Sequence, residues 1–256
     1  MFLAIDIGNS NIKTGLFEGD LLIESKIFNE FYLFNNYLKL IKIEKSAISS
    51  VVPSLSEKVS EVLLAISHLS PFVITIESKF NLNIRYNSLV TLGIDRICSA
   101  EGAFYLFKNS EDFNKYNEQS IILTLDFGTA TTINVIKYPG EFSGGIIAPG
   151  ISMMFDSLKY KTAQLPNVTL EEYKELIGNN TTSSIASGVL NSQLGLIDRV
   201  IKKLQSDIKV ESTKIFITGG NAEKLFPYFR FEYQYVKELV LLGIKTAYEK
   251  NLDIRV

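Results

Sequence analysis

The chain has 256 residues, 46% apolar and 21% charged, which excludes a disordered chain and leaves room for two domains. Its 26 basic and 28 acidic residues give a net charge of −2, so nucleic-acid binding lacks its usual basic stripe, although local donors can still serve a small anion. Cys98 is the one cysteine, so no internal disulfide can form. No stretch reads as a signal peptide or approaches the ~20 apolar residues of a membrane span, and a cytoplasmic protein is expected.

The chain opens with MFLAIDIGNSNIKTGLF. The apolar run Phe2 to Ile5 meets Asp6, the small polar turn Gly8-Asn9-Ser10-Asn11 follows, and a second apolar-biased segment starts at Ile12. This predicts strand, tight turn, strand. Gly8 lets backbone N–H groups approach an anion, and Ser10 and Asn11 can donate to phosphate oxygens. A carboxylate only accepts, so Asp6 points to a metal or its water beside the phosphates. A third strand is expected at Leu21 to Phe28, a helix within 29–42, and a strand at Ser46 to Val52. Ser54 is read as the cap of a helix reaching Ser67, and Pro71 to Ile76 as a short strand. His68, the single histidine, has no second ligand near it in sequence and reads as a boundary residue.

Gly93-Ile94-Asp95-Arg96 opens an apolar helix running to about Phe107. Taken alone, Asp95 is equally a helix-start acid favoured by the local dipole and a carboxylate placed to orient or deprotonate a hydroxyl, with Arg96 gripping an anionic group. Cys98, among apolar neighbours, reads as a buried structural thiol. The polar stretch KNSEDFNKYNEQS, 108–120, is the linker candidate. It divides the chain into expected domains 1–115 and 116–256.

Beyond it, Leu123 to Val135 (LTLDFGTATTINV) repeats Leu3 to Gly15 (LAIDIGNSNIKTG) at a constant offset of 120. Asp126 falls on Asp6 and Gly128 on Gly8, while Thr129 and Thr131 supply hydroxyls where the first copy has Asn9 and Asn11. Two related β units are expected to begin two halves of the chain and to form a phosphate clamp; two unrelated hairpins are the bland alternative. Strands are expected at Ile121 to Leu125, Thr131 to Ile136 and Glu141 to Ile147, followed by the turn-forming GGIIAPG at Gly144 to Gly150. Thr169 and Glu172 form a capping-box pattern for a helix to Ile177, and Ser184 to Leu204 has helical spacing. Thr213 to Thr218 reads as a strand ending at Gly219-Gly220, which either leaves room for a nucleotide ring or only punctuates the strand. The aromatic run Tyr228 to Tyr235 is expected to pack in a core or interface, and a last helix spans Val236 to Tyr248.

Together these motifs resemble the type III pantothenate kinases, within the superfamily of acetate kinase, sugar kinases, Hsp70 and actin. They are Asp6-x-Gly8-Asn9-Ser10-Asn11, Gly93-x-Asp95-Arg96, Asp126-x-Gly128-Thr129, Gly144-Gly145-x-Ile147-x-Pro149-Gly150 and Thr218-Gly219-Gly220, in the family order. The resemblance implies an α/β fold of duplicated ribonuclease H-like (actin-like ATPase) domains, mixed sheets flanked by helices, with a cleft between them. It implies ATP-dependent phosphorylation of pantothenate to 4′-phosphopantothenate in coenzyme A biosynthesis, by a homodimer using Mg²⁺ and K⁺ or NH₄⁺. On this basis Asp95 is the catalytic carboxylate, and Tyr86, Gly93, Asp95, Arg96 and Thr181 bind pantothenate, Thr181 across the dimer interface. Asp6, Gly8, Asn9, Ser10, Asn11, Lys13, Gly128, Thr129, Gly219 and Gly220 serve ATP and its phosphates, and Asp6 and Asp126 serve metal. Ser10 stands where the family commonly has threonine, keeping the hydroxyl. Asn167 stands where an arginine commonly follows the proline. Another small-metabolite kinase, or an ATP-binding regulatory module without turnover, shares the clamp and is the alternative.

Overall fold

The computed structural model describes residues 1–207 and 209–252. Two compact units emerge. The first comprises Met1–Lys115, Val135–Gly144 and the chain from Glu238 onward; the second comprises Tyr116–Asn134 and Gly145–Lys237. The second unit is therefore not the contiguous segment 116–256 expected from the linker. The C-terminal helix is apolar and glycine-bearing, and it finds its partner in the first unit.

In the first unit, β1 (Phe2–Ile7), β2 (Ile12–Glu18) and β3 (Leu21–Phe28) form an antiparallel meander, with β4 (Lys45–Ser50) and β5 (Phe72–Val73) added in parallel; the order is β3-β2-β1-β4-β5. Strand β1 is central and buried along its whole length. That is why it reads as a nearly unbroken apolar run instead of alternating. Leu3, Ile5 and Ile7 point into a core with Phe34, Leu38, Val59 and Leu63 from α1 (Phe31–Leu38) and α2 (Pro53–Ser67). Phe2 and Ala4 face the other core, with Cys98 from α3 (Ile94–Lys108) and Leu241, Ile244 and Ala247 from α6 (Leu239–Leu252). Helices α3 and α6 touch backbone to backbone. A Cβ on Gly243 would lie 2.6 Å from the Cys98 carbonyl carbon and closer to its oxygen, and one on Gly102 would strike Leu239.

In the second unit the strand order β11-β10-β7-β8-β9 is built from β7 (Ser120–Phe127), β8 (Ala130–Lys137), β9 (Glu141–Pro149), β10 (Ser212–Thr218) and β11 (Gln234–Tyr235). Strand β10 runs parallel to both β7 and β11. The far end of the β8–β9 hairpin belongs to the first unit, where β6 (Asn83–Ile84) runs parallel to β9 with Asn83 opposite Glu141. Helices α4 (Ile151–Lys161) and α5 (Thr181–Asp207) complete the second unit.

Two local expectations are corrected, and His68 takes the boundary position expected of it. Ser54 does not cap α2: Val52 occupies that position, and Pro53, with no N–H to satisfy, opens the first turn. The capping-box pattern at Thr169 makes only a 3-10 turn, Leu170–Glu172, without a side-chain cap, because the apolar positions after it are too few to bury a helical face. His68 ends α2 in the left-handed conformation, φ 57°.

Candidate active site

Helix α3 organises one end of the first unit. Gly93 is its N-cap, and Asp95 stands in the first turn with Oδ1 accepting the Arg96 backbone N–H at 2.8 Å. A Cβ on Gly93 would lie 2.5 Å from that oxygen, so glycine makes room for the carboxylate. Arg96 is buried, 6% exposed. Its guanidinium carbon lies 5.9 Å from the ring centroids of both Tyr86 and Phe142, which are 6.3 Å from each other. A guanidinium near two ring faces is attracted by their quadrupoles, and it is more weakly hydrated than an ammonium. Gly144, at φ +103°, lets the Tyr86 ring approach: a Cβ there would meet Cε2 at 3.3 Å. Asp95, Arg96, Gly93 and Tyr86, predicted separately, thus share one locality, and Phe142 joins them. No spacing rule announces Phe142, because its role exists only once β6 pairs with β9.

The first acidic turn lies in the same unit. Asp6, 7% exposed, ends β1 with the Ser49 hydroxyl 3.4 Å from Oδ1 and Lys13 opposite it on β2. The turn closes through the Gly8 N–H donating to the Asn11 carbonyl at 3.0 Å, and leaves Asn9 and Ser10 exposed. Burial pushes the Cys98 thiol up, and the negative charges of Asp6 and Asp95 push the same way. Both carboxylates therefore act on one buried point, and Cys98 is a protonated core thiol, not a nucleophile.

The second turn is tighter. The Gly128 N–H donates to the Ala130 carbonyl at 3.1 Å, one residue sooner than in the first copy. The offset of 120 therefore stops holding inside the turn. Thr131, expected to supply a turn hydroxyl, lies buried in β8 and donates to Gln193 Oε1 at 2.8 Å. The backbone of this turn is held from three sides. Gly150 N–H donates to Thr129 O at 3.2 Å, Asn221 N–H to Phe127 O at 3.0 Å, and Asn221 Nδ2 to Gly128 O at 3.4 Å. The space left by the missing side chain of Gly219 (φ +98°) is filled by Phe127 and by Asp126, whose Oδ1 a Cβ would meet at 2.5 Å. At Gly220 the space is open. Asn221 and Gln193 escaped sequence reading because an amide that braces a turn carries no local signature.

Thr181 begins α5 and is exposed beside a groove of about 880 Å³ between α4 and α5, lined by Met153, Leu158, Leu165, Ile185 and Val189. Asp6 and Asp126 offer hard oxygen donors beside glycine turns. Among the described residues no three His, Cys, Asp or Glu converge. Carboxylate oxygens are the donor type Mg²⁺ takes, one or two from a protein with phosphates and water completing the shell.

A family model described as "Type III pantothenate kinase" matches residues 2–203. The type III pantothenate kinase of Citrifermentans bemidjiense is 31% identical over 265 positions, covering 98% of this chain and 100% of its own. That of Geotalea daltonii is 31% identical, covering 99% and 100%. Among solved structures, a putative Baf family transcriptional activator from Campylobacter jejuni superposes with a TM-score of 0.60 at 24% identity, covering 98% of this chain and 100% of that one. A putative 2-dehydro-3-deoxygalactonokinase from Sinorhizobium meliloti gives 0.57 at 9% identity, covering both chains fully. These superpositions speak for the fold alone: mixed α/β sheets flanked by helices, the fold class the resemblance implies. The family match and the full-length relatives go further: this chain belongs to the type III pantothenate kinases.

Proposed function

We propose that the chain phosphorylates pantothenate with ATP to give 4′-phosphopantothenate in coenzyme A biosynthesis, the activity its family carries. The observation that carries this reading into chemistry is the Asp95–Arg96–Tyr86–Phe142 cluster. It offers an anion-binding guanidinium beside two aromatic rings and next to a carboxylate at a helix start. Pantothenate has the matching features: a carboxylate for Arg96 and a primary hydroxyl for Asp95. Asp95 orients that hydroxyl and accepts its proton as the phosphoryl group leaves ATP. In a loose transition state positioning and charge matter more than the strength of the base.

Asp6, Gly8, Asn9, Ser10, Asn11 and Lys13 in the first unit, and Gly128, Thr129, Gly219 and Gly220 in the second, serve ATP. The exposed Asn9 and Ser10, with the half-buried Asn11 beside them, supply its phosphate donors. Asp6 and Asp126 would hold the cations: Mg²⁺ would neutralise charge on the phosphates, with K⁺ or NH₄⁺ serving beside Asp126. We propose the cytoplasm as its site of action, where ATP is at hand. The chain works as a homodimer through the α4–α5 groove, where Ser184, Gly188 and Ser192 present a small-residue face beside Thr181. A coupled ADP-release assay with ATP, Mg²⁺ and K⁺ tests the reading. Release should depend on pantothenate and not on a panel of sugars. Release with a sugar but not with pantothenate would replace it by a different metabolite kinase.

A further inference from the structure

Glu101 is a buried carboxylate that the reaction does not use. It lies on α3, six residues beyond Asp95, with no exposed surface. Burial pushes its carboxyl up, and the N–H groups of Asn81 and Leu82 pull it back without cancelling the rise. A carboxylate is costly to bury without purpose. Its partners all lie in one irregular segment. Oε1 accepts Asn81 Nδ2 at 2.6 Å and the Asn81 backbone N–H at 3.0 Å, while Oε2 lies 3.1 Å from the same N–H and 3.3 Å from that of Leu82.

Residues 79–82 belong to neither helix nor strand, so side chains supply what a ladder would. Asn251 of α6 fixes the other end, exchanging hydrogen bonds with the Lys79 backbone at 2.9 and 3.0 Å. Directly after this segment the chain enters β6. The Arg85 N–H then donates to Phe142 O at 3.0 Å, and Tyr86 follows against Arg96. One helix therefore carries Asp95 and Arg96 at its start and, further along, holds the strand that delivers their aromatic neighbour.

We infer that Glu101 is a positioning residue for the acceptor, locking segment 79–82 to α3 so that Tyr86 stays in register with Arg96 and Asp95. This rests on the reading of Tyr86 as a pantothenate contact. The lock is chemically specific. Glu101→Gln keeps one acceptor for Asn81 Nδ2 but sets an NH₂ against the backbone N–H groups of Asn81 and Leu82, donor against donor. Adding Asn81→Asp lets that NH₂ turn to the new carboxylate and returns the amide oxygen to the two backbone N–H groups.

The test compares wild type, Glu101→Gln, Glu101→Gln/Asn81→Asp and Tyr86→Ala as full-length proteins, by steady-state kinetics and by hydrogen exchange of the amides of 81–86. Glu101→Gln should raise the pantothenate KM about tenfold, the scale of a lost charge-assisted hydrogen bond, with kcat and the ATP KM little changed. Exchange should quicken in 81–86 selectively, and the double variant should restore both readouts. Unchanged exchange in 81–86, or a parallel rise in both KM values, overturns the inference. Exchange that quickens and is rescued, while neither Glu101→Gln nor Tyr86→Ala moves the pantothenate KM, overturns instead the reading of Tyr86 as an acceptor contact, and with it the positioning role.

Discussion

Gly243→Ala adds one methyl group at the tightest contact of the first unit. The new Cβ would stand 2.6 Å from the Cys98 carbonyl carbon and 3.0 Å from the Gly102 nitrogen, where ordinary contact begins near 3.4 Å. Both are backbone atoms, so no rotamer change relieves the overlap, and α6 and α3 must part by roughly 1 Å. Overpacking typically costs 1–3 kcal/mol, and the backbone collision places this case near ~3; the better helix propensity of alanine returns about 1. The net loss of ~2 kcal/mol lowers Tm by roughly 4–8 °C in a chain of this size. Moving α3 also moves Asp95 and Arg96, and a misplacement of about 1 Å can cost ~10²-fold in kcat/KM. Differential scanning calorimetry and the coupled kinase assay measure the two effects. Gly195→Ala on α5 is the control, because no atom lies within 4 Å of its Cβ. The same substitution there should raise stability by up to ~1 kcal/mol. A Gly243→Ala protein that melts at or above wild type with unchanged turnover would refute the packing argument.

Three further outcomes are expected. Arg96→Lys keeps the charge but loses the planar fork beside Tyr86 and Phe142; the pantothenate KM should rise roughly 3–30-fold with a smaller change in kcat, read from acceptor titrations. Gly188→Glu puts a charge on the small-residue face of α5 and should yield folded monomers in light scattering, with pantothenate turnover lost alongside the dimer. The raised pKa of Glu101 means that the folded state holds its proton above the unfolded value of 4.5. The advantage of wild type over Glu101→Gln is therefore greatest below that value and shrinks as pH rises through the raised pKa. Paired thermal melts across pH should show that slope, and a gap that widens with pH contradicts it.

The sequence was most legible where local chemistry sets structure. The β1–turn–β2 unit announced itself through an apolar run broken by Asp6 and Gly8. The start of α3 was readable from Gly93 and Asp95, and the repeated Asp-x-Gly located the second β unit. Other features depend on contacts between distant segments. The C-terminal helix joins the first unit because Gly243 fits against Cys98, a match no window around residue 243 contains. Thr131 looked like a turn hydroxyl because the repeat was read without a gap, whereas the second turn closes one residue sooner. Phe142, Ser49, Asn221 and Glu101 act through partners 19 to 94 residues away, so periodicity and composition could not single them out. At Thr169 a sound capping pattern lacked the apolar face needed to make a helix pay.

Product analysis of wild type and Asp95→Asn tests the account at its centre. Each folded protein, its ATP binding verified by calorimetry, is incubated with ATP, Mg²⁺, K⁺ and pantothenate, and the acceptor is weighed by mass spectrometry. Wild type should convert pantothenate to a species heavier by one phosphate, and Asp95→Asn should form it at least ~10²-fold more slowly. Wild type that binds ATP yet leaves pantothenate unmodified, or an Asp95→Asn protein that matches wild type, would contradict it.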